Sequence, residues 1–292
     1  MLKKTQNVLK DYIKNLIQSI IRDDFANAAG EMAYMTALGI FPFMLFLTAV
    51  FGWLGKTFFI NKIIFGLSTI APQGVIDLIN GVLAEVVIFK SGKTMAIVGF
   101  LVTVFLTSNA IAVIIKGLNR ANNIQENRSF FKVRLLAILM VFVNTFFLFI
   151  SINLIVLGKV ILNFIGTYLS IAQNIIDTIL ITRWPAAFLL MFLLAAINYY
   201  VLPARDFSAK RKSVIPGALF FCIFWLLGSW GFSLYVNALG TYNKVYGTIG
   251  IFAILMVWLY YSSVILLIGG QINNQTLRKL IILDKKKQKL TE

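Results

Sequence analysis

The sequence predicts an all-α, polytopic membrane protein with six transmembrane helices and amphipathic helices at the membrane surfaces. Three observations carry this. Six stretches, at 32–55, 94–115, 135–158, 184–204, 213–243 and 245–277, contain no Asp, Glu, Lys or Arg. Each reaches the ~20 residues that a helix rising ~1.5 Å per residue needs to cross ~30 Å of hydrocarbon. The third observation is the placement of positive charge. With both termini in the cytoplasm, the inner segments hold 20 Lys and Arg in 73 positions and the outer segments 7 in 71. Cytoplasmic loops near membrane ends accumulate these residues, so the topology expected is N-in and C-in.

Taken in order, residues 1–24 form an amphipathic helix on the cytoplasmic face. Leu9, Tyr12, Ile13, Leu16, Ile17 and Ile20 recur at helical spacing, with Asp11, Asn15, Gln18 and Arg22 opposite. Lys10, Asp11 and Lys14 interrupt the stretch, which argues against a cleaved signal peptide. The membrane domain follows at 25–277. Its first span carries Pro42 with Gly39 three residues before, so a kink or break is expected there, because proline removes a backbone donor and clashes with the preceding turn. The outer segment 57–90 is apolar and broken at Ala71-Pro72-Gln73-Gly74, which fits short helices on the outer leaflet. Residues 160–176 are uncharged but polar enough to read as an interfacial or re-entrant segment, not a seventh span. Trp53 and Trp184 mark outer boundaries, and Pro216-Gly217 opens the fifth span. A short hairpin at 240–247 joins the last two spans as an antiparallel pair, with Trp225, Trp230, Trp258, Tyr260 and Tyr261 packing between them. Small residues serve helix contacts: Ala29, Ala33 and Ala37 recur every four positions, and Gly228 with Gly231 and Gly247 with Gly250 offer close approaches. Residues 278–292 form a basic cytoplasmic tail.

Composition narrows the chemistry. The 292 residues are 59% hydrophobic and 13% charged, which leaves no room for a separate soluble catalytic domain. The net charge of +16 sits beside membrane ends. Its expected partners are therefore membrane lipids, through anionic headgroups on the cytoplasmic face, and not nucleic acid. The single cysteine, Cys222, lies within the fifth span, and histidine is absent. This excludes an intrachain disulfide and removes the usual zinc ligand and the commonest general base. No cofactor, no metal and no enzymatic activity are expected.

Two groups of candidate residues remain. At membrane depth, Gly39, Pro42, Asn109, Asn144, Asn198 and Gln271 could line a substrate path; the plainer reading of the amides is that they join helices. No carboxylate lies within the spans, so a proton relay has no candidate residues, and the lipid interior is expected to hold no ionised side chain. At headgroup level, Asp23, Asn27 and Glu31 fall at i, i+4 and i+8 on the helix entering the first span. Arg120, Arg134 and Arg205 from other inner loops could complete a site there. The plainer reading is a helix start that favours acids, capped by Asp23 or Asp24.

Ala33-Tyr34, Ile40-Phe41-Pro42, Leu118-Asn119-Arg120 and 128–134 come first in a series of motifs. Leu202-Pro203, Ile215-Pro216-Gly217-Ala218, 232–235, 246–250, 258–260 and Gly269-Gly270-Gln271-Ile272-Asn273 follow. Together, in this order over residues 25–277, they resemble the YihY/virulence factor BrkB family. Two positions depart from its pattern: Gly39 stands where the family commonly has Ser, and Gln271 where it commonly has a carboxylate. The resemblance implies a bacterial cytoplasmic (inner) membrane protein linked to envelope integrity and virulence, of a family once named for ribonuclease BN. The eight inner acids show no metal-site spacing, so the residues disfavour a nuclease. Transport or translocation of a lipid or amphiphilic anion in envelope homeostasis is the function expected. The alternative is a non-transporting scaffold or assembly factor for envelope machinery. A second copy of the chain or an envelope protein are the protein partners left open.

Overall fold

A computed structural model describes residues 14–53, 93–169, 173–204, 211–238 and 242–291. The expected outer segment 57–90, and Arg205, lie outside the described residues. Among those described, the regular structure is helical throughout. A helical segment at 14–22 precedes α1 (Phe25–Trp53), α2 (Lys93–Asn122), α3 (Phe130–Leu169) and α4 (Gln173–Val201). A 3₁₀ turn (Arg211–Val214) leads into α5 (Ile215–Ala238), and α6 (Tyr242–Thr291) ends the chain.

Five stretches are long and apolar enough to cross a membrane: Ile97–Asn122, Phe130–Ser151, Ile181–Val201, Ile215–Val236 and Phe252–Ile282. They correspond to the second through sixth expected spans, and the chain is a multi-pass membrane protein. Residues 32–53 of the first expected span lie in α1, a helix of 29 residues.

Each helix packs on its neighbour in sequence, from α2 against α3 through α5 against α6, and α6 returns to α1 and α2 to close the ring. The most extensive pairing joins α1 to α2. Gly39 packs on Thr107 there, and Ala29, Ala33 and Ala37 are all buried, as the four-residue spacing predicts. Ala33 and Ala37 meet Leu259 of α6, while Ala29 packs with Phe25, Met32, Ala121 and Leu267. A second cluster fills the opposite side of α2, from Ile115 and Leu118 through Met140 and Tyr199 to Cys222, which is fully buried.

The α5–α6 pair is aromatic through Trp225, Trp258 and Tyr261, whereas Trp230 and Tyr260, expected between the helices, are exposed at 66% and 40%. Trp225 and Trp258 meet edge to face with centroids 5.6 Å apart. Trp225 Nε1 donates to Ser262 Oγ at 3.0 Å and Trp258 Nε1 to Ser229 Oγ at 3.3 Å. Tyr261 donates its hydroxyl proton to the Phe224 carbonyl at 2.6 Å, lying where a side chain on Gly228 would have to go. Gly231, by contrast, faces open space, so only one member of that glycine pair makes a close approach.

Two expectations about helix continuity need correction. Pro42 lies inside an unbroken α1. A membrane helix tolerates proline when neighbouring groups re-satisfy the freed carbonyl. Residues 160–169 are no separate interfacial segment: they continue α3 to a length of 40 residues, and α4 begins at Gln173. Polar residues in an uncharged stretch did not stop the helix, because Asn, Thr and Gly each cost a helix only ~1 kcal/mol or less. The basic tail likewise continues α6, which runs 50 residues to Thr291.

Candidate functional site: the polar end of the bundle

Two tight corners build one end of the bundle, the end that the charge pattern predicts to be cytoplasmic. The segment 14–22 turns into α1 through Asp24, whose φ is 51°. α2 ends at Asn123, with φ 54°. There the Ile124 N–H reaches back to the Asn119 carbonyl at 2.9 Å and the Asn123 N–H to that of Arg120 at 3.0 Å. This is a Schellman ending with Asn in the left-handed position, where Asn and Asp are tolerated better than other residues with a side chain.

The corners bring two polar stripes face to face. Asn15, Gln18, Ser19 and Arg22 are spaced i, i+3, i+4, i+7, and so are Gln271, Asn274, Gln275 and Arg278 of α6. Together with Asn123 and Lys279 they enclose a cavity of about 750 Å³. None of these ten lining residues is a carboxylate. Arg22 is held there by Asp23, in a two-point ion pair at 2.8 and 3.0 Å, and donates to Asn123 Oδ1 at 3.1 Å. The bond to Asp23 keeps the Arg22 guanidinium above its ordinary pKa. Ser19, Gln271 and Asn274 are buried, yet Gln271 Oε1 and Gln275 Nε2 have no hydrogen-bond partner among the described residues.

Beside this cavity a polar network ties the interhelical loops. Asn119 accepts from the Ala204 backbone N–H at 2.7 Å and donates to Glu126 at 2.8 Å. Glu126 receives Arg128 through its backbone and guanidinium, and Arg128 donates onward to the Leu202 carbonyl at 2.9 Å. The Arg128 bonds hold the Glu126 carboxyl below its ordinary value. On the far side, Asn273 accepts from the Gly217 N–H at 2.7 Å.

A separate polar contact lies deeper. Arg134 of α3 extends to α2, where it donates to Asn109 Oδ1 and, at 3.2 Å, to the Phe105 carbonyl, with its guanidinium 4.5 Å from the Phe105 ring centroid. Asn109 is seven residues from Lys116 and Phe105 is at the middle of the uncharged run 94–115. Along α2 these two positions lie roughly 10 and 16 Å from Lys116. Among the described residues no carboxylate pairs with it.

The family model of Virulence factor BrkB matches residues 16–290. The chain belongs to this family. It is similar to the putative ribonuclease-like protein YfkH of Bacillus subtilis, 26% identical over 90% of this chain and 94% of that protein. A UPF0761 membrane protein of Pseudoalteromonas atlantica is 24% identical over 90% of this chain and 85% of its own length. A UPF0761 membrane protein of Glaesserella parasuis is 33% identical, over 29% of each chain. No solved structure matches. In this BrkB-family chain the quoted motifs converge: Asn119, Arg128 and Leu202 share one network, and Gly217 meets Asn273.

The structure redistributes the expected site residues of this BrkB-family protein. Asp23, Asn27 and Glu31 do not share one helix face, because the left-handed turn at Asp24 separates Asp23 from α1. Their bonds are local or rim-exposed: Asn27 to Asp24 at 2.7 Å, Glu31 to Lys116 at 2.9 Å and Arg120 to Asp24 at 3.7 Å. Arg134 joins none of these rim acids and instead bonds Asn109 and the Phe105 carbonyl of α2. Of the path candidates, Asn144 and Asn198 bond each other across α3 and α4 at 2.8 and 3.4 Å, which is helix joining and no open path. Gly39 packs against Thr107, which a Cβ would meet at 3.2 Å, and Pro42 is half-buried. Gln271 alone reaches the cavity. The sequence reading missed Ser19, Asn123, Asn274, Gln275, Arg278 and Lys279, although the matched spacing of the two stripes was a signal that could have found most of them.

Proposed function

We propose that this protein moves a lipid or similar amphiphilic anion within the bacterial cytoplasmic membrane, spanning it six times with both termini inside, in service of the envelope. Arg134 carries the reading. A cation held at this depth by Asn109 and Phe105 gains nothing for folding that an apolar residue would not supply more cheaply, since taking a charge out of water costs several kcal/mol. A passing anion gives it a counter-charge. Exposed apolar side chains around it, Leu101 and Phe105 on α2 and Phe142 on α3, leave an amphiphile's chains in lipid while its head meets the guanidinium. The chain is not read as an enzyme. The ribonuclease-like name of the Bacillus relative finds no support at the cavity, whose lining lacks the acids that a metal-dependent nuclease needs.

Reconstitution into liposomes carrying a quenchable fluorescent phosphatidylglycerol tests this. Scrambling above the protein-free rate is expected, slowed at least about tenfold in Arg134→Gln, which removes a charge-assisted contact worth roughly 1.5–3 kcal/mol. A wild-type rate equal to that of empty liposomes removes the transport reading. The second reading, a scaffold for envelope machinery, is favoured by the Asn144–Asn198 bond and the unbroken α1, both of which close the bundle. It is the reading left if scrambling is absent.

A further inference from the structure

The half-open cavity between segment 14–22 and α6 is lined by polar and charged side chains among the described residues. Its volume of about 750 Å³ falls within the range of small-molecule sites. Arg22, Arg278 and Lys279 bring positive charge to the lining, which holds no carboxylate among the described residues. Arg22 is already matched by Asp23, whereas Arg278 of α6 has no carboxylate partner among the described residues. The feature that distinguishes a binding site from a solvated basic face is buried. Gln271 is only 3% exposed, yet its Oε1 accepts from nothing among the described residues, and the nearby Gln275 Nε2 donates to nothing. Leaving a buried polar atom without a partner costs roughly 1–3 kcal/mol, and two on one helix face a turn apart are costly to retain for packing alone.

We infer that this cavity binds a phosphate group that carries a neighbouring hydroxyl or ammonium donor. The phosphate oxygens take the Gln275 amide and the Arg278 guanidinium, and the ligand's own O–H or N–H satisfies Gln271 Oε1. A phospholipid headgroup and a soluble phosphate ester share this chemistry. One wall of the cavity is an amphipathic segment whose apolar Ile17 and Ile21 face outward, 51% and 75% exposed, where the membrane surface would meet them, a placement that suits a headgroup. The inference deepens the proposed function by giving its cargo's headgroup a docking place at the inner end.

The full-length protein in detergent is titrated with glycerol 3-phosphate, with inorganic phosphate and with dihexanoyl phosphatidylglycerol, and binding is followed by calorimetry. Saturable binding of at least one probe is expected. Gln271→Glu, which nearly preserves shape and adds a negative charge, and Arg278→Gln, which removes a positive one, should each weaken it about tenfold or more. Tighter binding of the lipid than of both soluble probes assigns the site to a headgroup, and the reverse assigns it to a soluble ester. Absence of saturable binding for all three, or affinities unchanged in both variants, overturns the inference. Scrambling by a wild-type protein that binds no probe would overturn this site while sparing the transport reading. Binding without scrambling would do the opposite.

Discussion

Two glycines show how much of this bundle depends on single positions. A Cβ on Gly217 would run into the Gly269 carbonyl and the Asn273 side chain, and one on Gly228 into the Tyr261 hydroxyl. The first neighbour is backbone and cannot swing aside; the second is the end of a side chain. Gly217→Ala should therefore destabilise by about 3 kcal/mol or more, and Gly228→Ala by about 1–3 kcal/mol as Tyr261 loses its bond to the Phe224 carbonyl. Cys222 provides the readout. It is the chain's one cysteine and is fully buried, so its reaction with a thiol dye during heating reports opening of the bundle, and both variants should react at lower temperatures in that order. At this scale the sequence was only partly legible. Gly228 could be named as a close approach, but its neighbour Gly231 could not be told apart from it, because composition does not say which way each residue turns.

Between elements, the α3–α4 seam rests on the mutual amide bond of Asn144 and Asn198. Changing either one to Leu leaves the other's polar atoms without their partner, at a cost of roughly 0.6–2 kcal/mol in a membrane. Changing both removes the need. A double-mutant cycle in thermal unfolding should find the double variant more stable than the sum of the singles predicts. The loop joining α2 to α3 has a different dependence. Glu126, its carboxyl held below the ordinary value of 4.5 by Arg128, contributes stability that is complete above that value and is lost as pH falls through the lowered one. Hydrogen exchange of residues 123–129 should accordingly stay slow at neutral pH and accelerate only below pH 4.5, and Glu126→Gln should remove most of that pH dependence. Helix positions were legible because the uncharged runs mark them. The loop network was not, since Asn119 and Arg128 are nine residues apart in sequence and meet only through the turn that Asn123 permits.

Over the whole molecule, the distribution of basic residues makes a checkable statement about sidedness. Cysteines introduced at Lys287 and at Lys4 in a Cys222→Ser background should react with a membrane-impermeant maleimide only after cells are opened; labelling of intact cells would reverse the assigned orientation. The helical plan was readable from charge and hydropathy alone, and the small-residue stripe of α1 marked a buried face, which meets α6 at Ala33 and Ala37. What the sequence concealed was the vertical offset between α2 and α3. That offset places Arg134, the last charge before an uncharged run, beside the middle of its neighbour. Helix ends can be read from composition, but the stagger of two packed helices follows from contacts along their full length.

The depth of that guanidinium has an electrical consequence. A membrane voltage of 100 mV does ~2.3 kcal/mol of work on one elementary charge carried all the way across. An anion that travels from the inner face to Arg134 has crossed roughly a third to a half of the hydrocarbon, and so gains about 0.8–1.2 kcal/mol from an inside-negative potential before it arrives. The remainder of the field acts on the outward leg. For a negatively charged cargo moved as proposed, the resting polarisation of the cell would set an outward direction of travel on both halves of the route.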